Sequence, residues 1–250
     1  MIRRPDLEEW FLALQMEAIV REHTHVTLCF DADVTALDRA AAEAGVKLSY
    51  TAVGVRAAAL LVRRHPDVNR MRFHTPIGVR VVDFPYVAVN LPVKLIPSGH
   101  LAATVIEDAD RTPLDALASR IHTFRHTELE ALPIGRFFIG NHNTWWRRLV
   151  LRTLHWGAWR LPWLYVRKRG GGVSVTSLLN HRGHGRRARV AGLGPTGLTI
   201  TLSALNRDAN GTVALSIGVA IDHALLPGDE AGRVMRDLVE ILGDPRNFLP

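Results

Sequence analysis

A single cysteine, Cys29, leaves this 250-residue chain without a disulfide framework or a thiolate metal cluster. That scarcity fits a reducing compartment, and the cytoplasm is the expected location. No run of about 18 uncharged apolar residues occurs, so a simple membrane span is not predicted. The start, MIRRPDLEEWF, turns acidic where a secretory signal would turn apolar. Repeats, low-complexity tracts and Gly/Ser linkers are also missing, and nothing marks a domain boundary. The most informative absence concerns charge: no Asp or Glu lies between Glu130 and Asp208. Thirteen basic residues fall in that stretch, while the rest of the chain has 18 basic and 24 acidic ones. The net charge of +7 is therefore local, and it points to a local anionic partner rather than to general adhesion. What is present suffices for folding. With 47% hydrophobic and 22% charged residues, the apolar content excludes a disordered chain.

The chain reads as alternating helices and strands. Asp6 is a candidate cap for a helix to Glu22, with Trp10, Leu12, Leu14 and Ala18 as apolar positions. HVTLCFDADVTAL alternates as a strand, placing Val26, Leu28 and Phe30 on one face. Residues 50–65 are rich in helix formers and stop at Pro66. YVAVNLPVKL reads as a strand whose proline suits an edge, followed by a second strand in LAATVIEDA. Thr112 is placed to cap a helix with Pro113 at its first position. TGLTITLSALN and TVALSIGVAID are β-branched strands joined by an Asp-Ala-Asn-Gly turn. A last helix runs from Glu230 to Leu242 and stops at Gly243 and Pro245. Strands and helices are not matched one for one, which predicts a mixed sheet flanked by helices in one α/β domain.

VALSIGVAIDHALLPG delivers Asp222 and His223 to the end of a strand beside a loop. A histidine placed there suits proton transfer near neutrality, or serves as a hydrogen-bonded structural group. The stretch resembles the end of the catalytic domain of dihydrolipoamide acyltransferases, the core subunits of 2-oxo-acid dehydrogenase complexes, whose fold chloramphenicol acetyltransferase shares. That family reads D-H-R-x-x-D-G before a closing helix with a D/N-P tail. Here Asp222-His223-Ala224-Leu225-Leu226-Pro227-Gly228 precedes a helix and Gly243-Asp244-Pro245. Asp33-Val34-Thr35-Ala36-Leu37 is similar to the family's early D-V-T-x-L. GVKLSYTAVGVRAAALLVRRHPDVN is similar to its helix ending in x-P-x-x-N, here Pro66 to Asn69. VAVNLPVKL and the Asp108-Ala109-Asp110 element follow in order. GGVSVTSLL resembles the G-x-x-x-[IV]-[ST]-N-x-G strand and puts Thr176 at the hydroxyl position. The likeness covers roughly residues 24–130 and 171–245.

The resemblance implies a single-domain chloramphenicol-acetyltransferase-like fold over 1–250 and acyl transfer as the activity. It implies His223 as general base and Thr176, contributed by a neighbouring subunit, as oxyanion donor, in a homotrimer with sites at subunit interfaces. Ser177 and Asp222 are the adjoining candidates for substrate contact. Pro227 replaces the motif Asp, Ala224 the motif Arg, Ser177 the usual Asn, and Leu179 the usual Gly. Asp229 lies two positions beyond Pro227. A homologue that kept the fold and lost the chemistry, acting as a binding or scaffold protein, is the competing reading. No lipoyl Asp-Lys-Ala hairpin is present, so the expected donor is acyl-CoA or the thioester of a separate, acidic carrier protein. No bound cofactor is expected.

Residues 136–169 depart from the family. They hold five of the six tryptophans and eight basic residues, with none acidic. Trp145, Leu149, Trp156 and Trp159 fall near one helical face, and Pro162 ends or kinks the helix. Four readings stand open: an anionic membrane surface, a cap over an acyl-chain pocket that gives Trp145 and Trp146 substrate contacts, a dock for an acidic carrier, or tryptophans packed on the core. His23-Thr24-His25 and Asn180-His181-Arg182-Gly183-His184 lack the carboxylate or Cys spacing of a metal site, and no metal is expected. Gly192-Leu193-Gly194-Pro195 is no phosphate loop. The pI near 10.4 is accompanied by no nucleic-acid-binding motif, so nucleic acid is not an expected partner.

Overall fold

A computed structural model describes residues 3–167, 170–179 and 189–249. The chain opens with α1 (Leu7–Glu22), β1 (His25–Asp33), α2 (Thr35–Glu43) and α3 (Tyr50–Arg64). A hairpin, β2 (Arg70–Thr75) and β3 (Gly78–Asp83), precedes β4 (Ala88–Lys94), β5 (Leu101–Glu107) and α4 (Leu114–Arg125). Then come α5 (Trp145–Arg160), α6 (Pro162–Arg167), β6 (Val173–Ser177), β7 (Leu198–Arg207), β8 (Val213–Asp222) and α7 (Gly228–Gly243). Six strands form one mixed sheet in the order β1-β8-β7-β6-β4-β5, and β2–β3 form a separate ribbon. The β4–β6 and β6–β7 pairs are parallel; the others are antiparallel.

The period-2 pattern of the central strands explains the layering. Val173, Val175, Leu198, Ile200, Leu202, Leu215, Ile217 and Val219 join one core with residues of α2, α3, α4 and α7. Ser174, Thr199, Thr201, Ser203, Ser216 and Gly218 alternate with them and face the other way. There the segment 189–197 lies on the sheet: Val190 N–H donates to Ser203 Oγ and Gly192 N–H to Thr201 Oγ1. Gly218 allows that approach, since any side chain there would collide with the Val190 carbonyl.

Several expectations shift. Asp6 caps α1 in a reciprocal capping box with Glu9, but Leu12 is exposed and the helix buries Leu7, Ala18 and Ile19. β1 stops at Asp33, and Thr35 begins a helix rather than extending the strand. Because β1 is a sheet edge, Val26 and Leu28 are exposed. Thr112 bonds the Asp108 carbonyl instead of capping α4, which starts after Pro113. β4 is internal, not an edge. Its ladder to β6 registers only Val89 and Asn90, so it ends before Pro92. Among the described residues no helix is long and apolar enough to cross a membrane.

Candidate active site

The turn after β8 is fixed by a buried carboxylate. Asp222 has no exposed surface. One oxygen lies 2.8 Å from His23 Nδ1, and Arg72 of the hairpin reaches both oxygens at 3.2 Å. The backbone N–H groups of Thr24 and Ala224 also donate to Asp222. Burial pushes the Asp222 carboxyl upward, but the His23 hydrogen bond and the Arg72 charge outweigh it and hold it below its ordinary value. Since a carboxylate only accepts, Nδ1 of His23 carries the proton facing it. The His23 ring also packs against Trp159, at 5.7 Å between centroids.

This network positions His223 without touching its ring. The His223 N–H donates to the Thr24 carbonyl at 2.8 Å, continuing the β1–β8 ladder by one residue. Its imidazole is exposed and makes no hydrogen bond or ion pair among the described residues. Asp222, by contrast, is committed to positioning the turn. Pro227 is the N-cap of α7, with Asp229 exposed in the first turn.

At the far end of the sheet, β4 and β6 part. Val87 accepts from Asp108 across β5, so alternation turns residues 88, 90 and 92 toward β6. Pro92 has no N–H to offer there, and the parallel ladder cannot continue. The diverging strands, with the start of α3 and the C-terminal half of α4, bound a cavity of about 980 Å³. Its lining includes Leu91, Pro92, Val93, Thr176, Ser177 and Leu178. Lys47, Lys94 and Arg125 also line it, together with Glu8, which pairs with His100; none of the three cations has a carboxylate partner among the described residues. Thr51 of α3 donates to Ser177 Oγ at 3.0 Å, so Ser177 faces the helices. Thr176, one residue earlier, faces the segment 189–197, and its hydroxyl makes no hydrogen bond to the described residues.

The two candidate centres do not meet within one chain. Thr176 pairs with Thr201 and Thr201 with Gly218, five positions before His223. That offset is roughly 17 Å along the strands and about 10 Å across them. Trp145 and Trp146, at the start of α5, are exposed and line no part of the cavity. His25 sits beside His23, and burial, with His23 next, lowers its pKa below the ordinary histidine value. No group of three or more metal-ligating side chains occurs among the described residues, and 180–184 lie outside them. Sequence reading missed His23 and Arg72. Nothing local announces them, because Asp222 meets them only through the β1–β8 pairing and the hairpin.

No family model matches the chain, and no curated protein matches its sequence. Solved structures do match. The cubic core of the pyruvate dehydrogenase multienzyme complex superposes with a TM-score of 0.66 at 20% identity, covering 98% of this chain and 93% of that one. The dihydrolipoamide acetyltransferase of Azotobacter vinelandii, whose catalytic mechanism has been probed at a serine, a histidine and an asparagine, gives 0.67 at 20% with the same coverage. A chloramphenicol acetyltransferase gives 0.51 at 12%, covering 97% of this chain and all of that one (100%). The chain therefore has the chloramphenicol-acetyltransferase-like fold.

Proposed function

We propose that this protein is an acyltransferase, moving an acyl group from the thioester of CoA or of an acyl-carrier protein to a small hydroxyl, amine or thiol acceptor. The observation that carries the reading is the fold, similar along 98% of the chain to acyltransferase cores. Two features support it. His223 directly follows β8 with its imidazole unbonded, and Thr176 is the penultimate residue of β6 with its hydroxyl unbonded, among the described residues. Their separation within one chain fits a site completed by a second copy, as in a homotrimer, and a cubic core such as the neighbour's contains threefold axes.

In this reading His223 takes the proton from the acceptor as its heteroatom attacks the thioester carbonyl. The carbonyl oxygen becomes an oxyanion, which accepts a hydrogen bond from the Thr176 hydroxyl of the adjoining subunit. Collapse breaks the C–S bond, and the imidazolium returns its proton to the departing thiolate. The cavity suits such a donor: apolar walls face an acyl chain, and Lys47, Lys94 and Arg125 face phosphate or another anionic group.

Loss of the motif carboxylate at Pro227 favours a different outcome, a binding or scaffold protein with no turnover. The deciding experiment is free-thiol release from short- and long-chain acyl-CoAs, with and without amine, alcohol and thiol acceptors. Release that vanishes in His223→Ala supports the enzyme. No release from any donor moves the reading to the binder.

A further inference from the structure

The outer face of the tryptophan-rich helices has no role in the site, and its construction is one-sided. The inner side of α5 is strapped to the body. Leu151 and Trp159 are buried, and Arg160 grips the buried Glu22 of α1 at 2.7 Å and 3.1 Å. Arg160 also donates to the His74 carbonyl of the hairpin at 2.5 Å. Of the four residues assigned to one face by sequence, Trp159 alone turns inward. Trp145, Leu149 and Trp156 remain 77%, 58% and 51% exposed. Beyond the break at Pro162, Trp163 of α6 is exposed as well.

Basic groups lie among these apolar ones. Arg152, two thirds of the way between Trp145 and Trp156 on the same helix, is exposed, as is Arg167 at the end of α6. Neither has a carboxylate partner among the described residues, and the sequence has no acid from 131 to 207. Indoles prefer the headgroup level of a bilayer, where ring and N–H are both accommodated, and guanidinium groups pair with lipid phosphates. An acidic peptide or carrier protein would need a basic groove. The cleft between α1 and α5 beside this face, about 210 Å³, mixes Glu17 and Glu22 with Arg21, Arg152 and Arg160, and Glu22 is already paired with Arg160, so it offers no uniformly basic groove.

We propose that the outer face of α5–α6 docks on an anionic phospholipid bilayer, with Trp145, Trp156 and Trp163 at headgroup depth and Arg152 and Arg167 on lipid phosphates. The inference is independent of the acyl-transfer reading. It is tested by co-sedimentation of the full chain with phosphatidylcholine vesicles, with and without phosphatidylserine, at low salt. Binding is expected only with phosphatidylserine and falls as salt is raised. Leu149→Ser/Trp156→Ser/Trp163→Ser and, separately, Arg152→Glu/Arg167→Glu each weaken it on the order of tenfold, with unchanged far-UV circular dichroism. Absence of binding at low salt overturns the proposal. So does binding that both variants retain, or a change in assembly mass in the serine variant, which would make this face a contact between copies.

Discussion

At the end of β8 a carboxylate with no exposed surface is gripped by His23 and Arg72, whereas beyond Asn90 and Ser174 two strands part around about 980 Å³ of open volume. One end of the sheet holds a charged group still; the other makes room. The difference follows from what each strand offers its neighbour. β8 extends its ladder to β1 one residue past the strand, so the turn has backbone bonds as well as an ion pair. β4 meets β6 with a proline where the next donor is required. A histidine that must meet a reacting proton needs the first kind of support, and a bulky substrate needs the second.

The contrast is broken most strongly at the rigid end. His223→Ala is expected to lower thiol release about 10²–10⁴-fold while leaving thermal unfolding unchanged, because the ring is exposed and unbonded. Asp222→Ala does the reverse in kind. It strands Arg72 and His23, and urea unfolding should show a loss of about 3–5 kcal/mol. Thr176→Val keeps the shape of β6 and removes the donor; turnover should fall about 10²–10³-fold with no shift in urea midpoint. Acid sharpens the comparison further. The Asp222 carboxyl sits below its ordinary value in the fold, so its contribution is full above about pH 4 and fades as pH falls through the folded value. His25 is also lowered, so stability tied to its neutral form is full above about pH 6.5 and is lost as pH drops through its folded value. Urea midpoints from pH 7 downward should decline in wild type, and the lowest-pH part of that decline should be shallower in Asp222→Asn, the remainder coming from other lowered carboxyls such as Asp38 and Asp237. The smallest effect is expected at the open end: Pro92→Ala restores a donor toward β6, changing stability by no more than about 1 kcal/mol while lowering turnover.

Much of the fold was legible where chemistry is local. Pro66, Gly211 and Gly243 punctuate the elements, Asp6 caps the first helix, and the β-branched runs of β7 and β8 lie where the sequence put them. The segments resembling acyltransferases all fell into a fold of that kind. What escaped depends on long-range pairing. The β2–β3 hairpin is short and mixed in pattern, and its Pro76-Ile77-Gly78 turn is the one local mark of it; Arg72 reads as one more surface charge until β2 is laid against Asp222. Val26 and Leu28 look like core residues until β1 proves to be an edge. Likewise Pro92 suggested an edge, though it marks the split between two internal strands. His223 and Thr176 were named as candidates, and the resemblance implied that they belong to neighbouring subunits, but the length of their separation within one chain depends on the register of three strands and could not be read.

The pairing of β1 with β8 joins groups 199 positions apart, His23 and Asp222, near opposite ends of the chain. Contacts so distant in sequence carry the largest loop-closure cost and add to the contact order of the fold. During synthesis β4 and β5, which supply one wall of the cavity, emerge together and can pair as a local unit. The turn bearing His223 acquires its N-terminal supports only when nearly the whole polypeptide has left the ribosome. A nascent or prematurely terminated product can thus possess much of the hydrophobic interior and still lack the structure that orients its histidine.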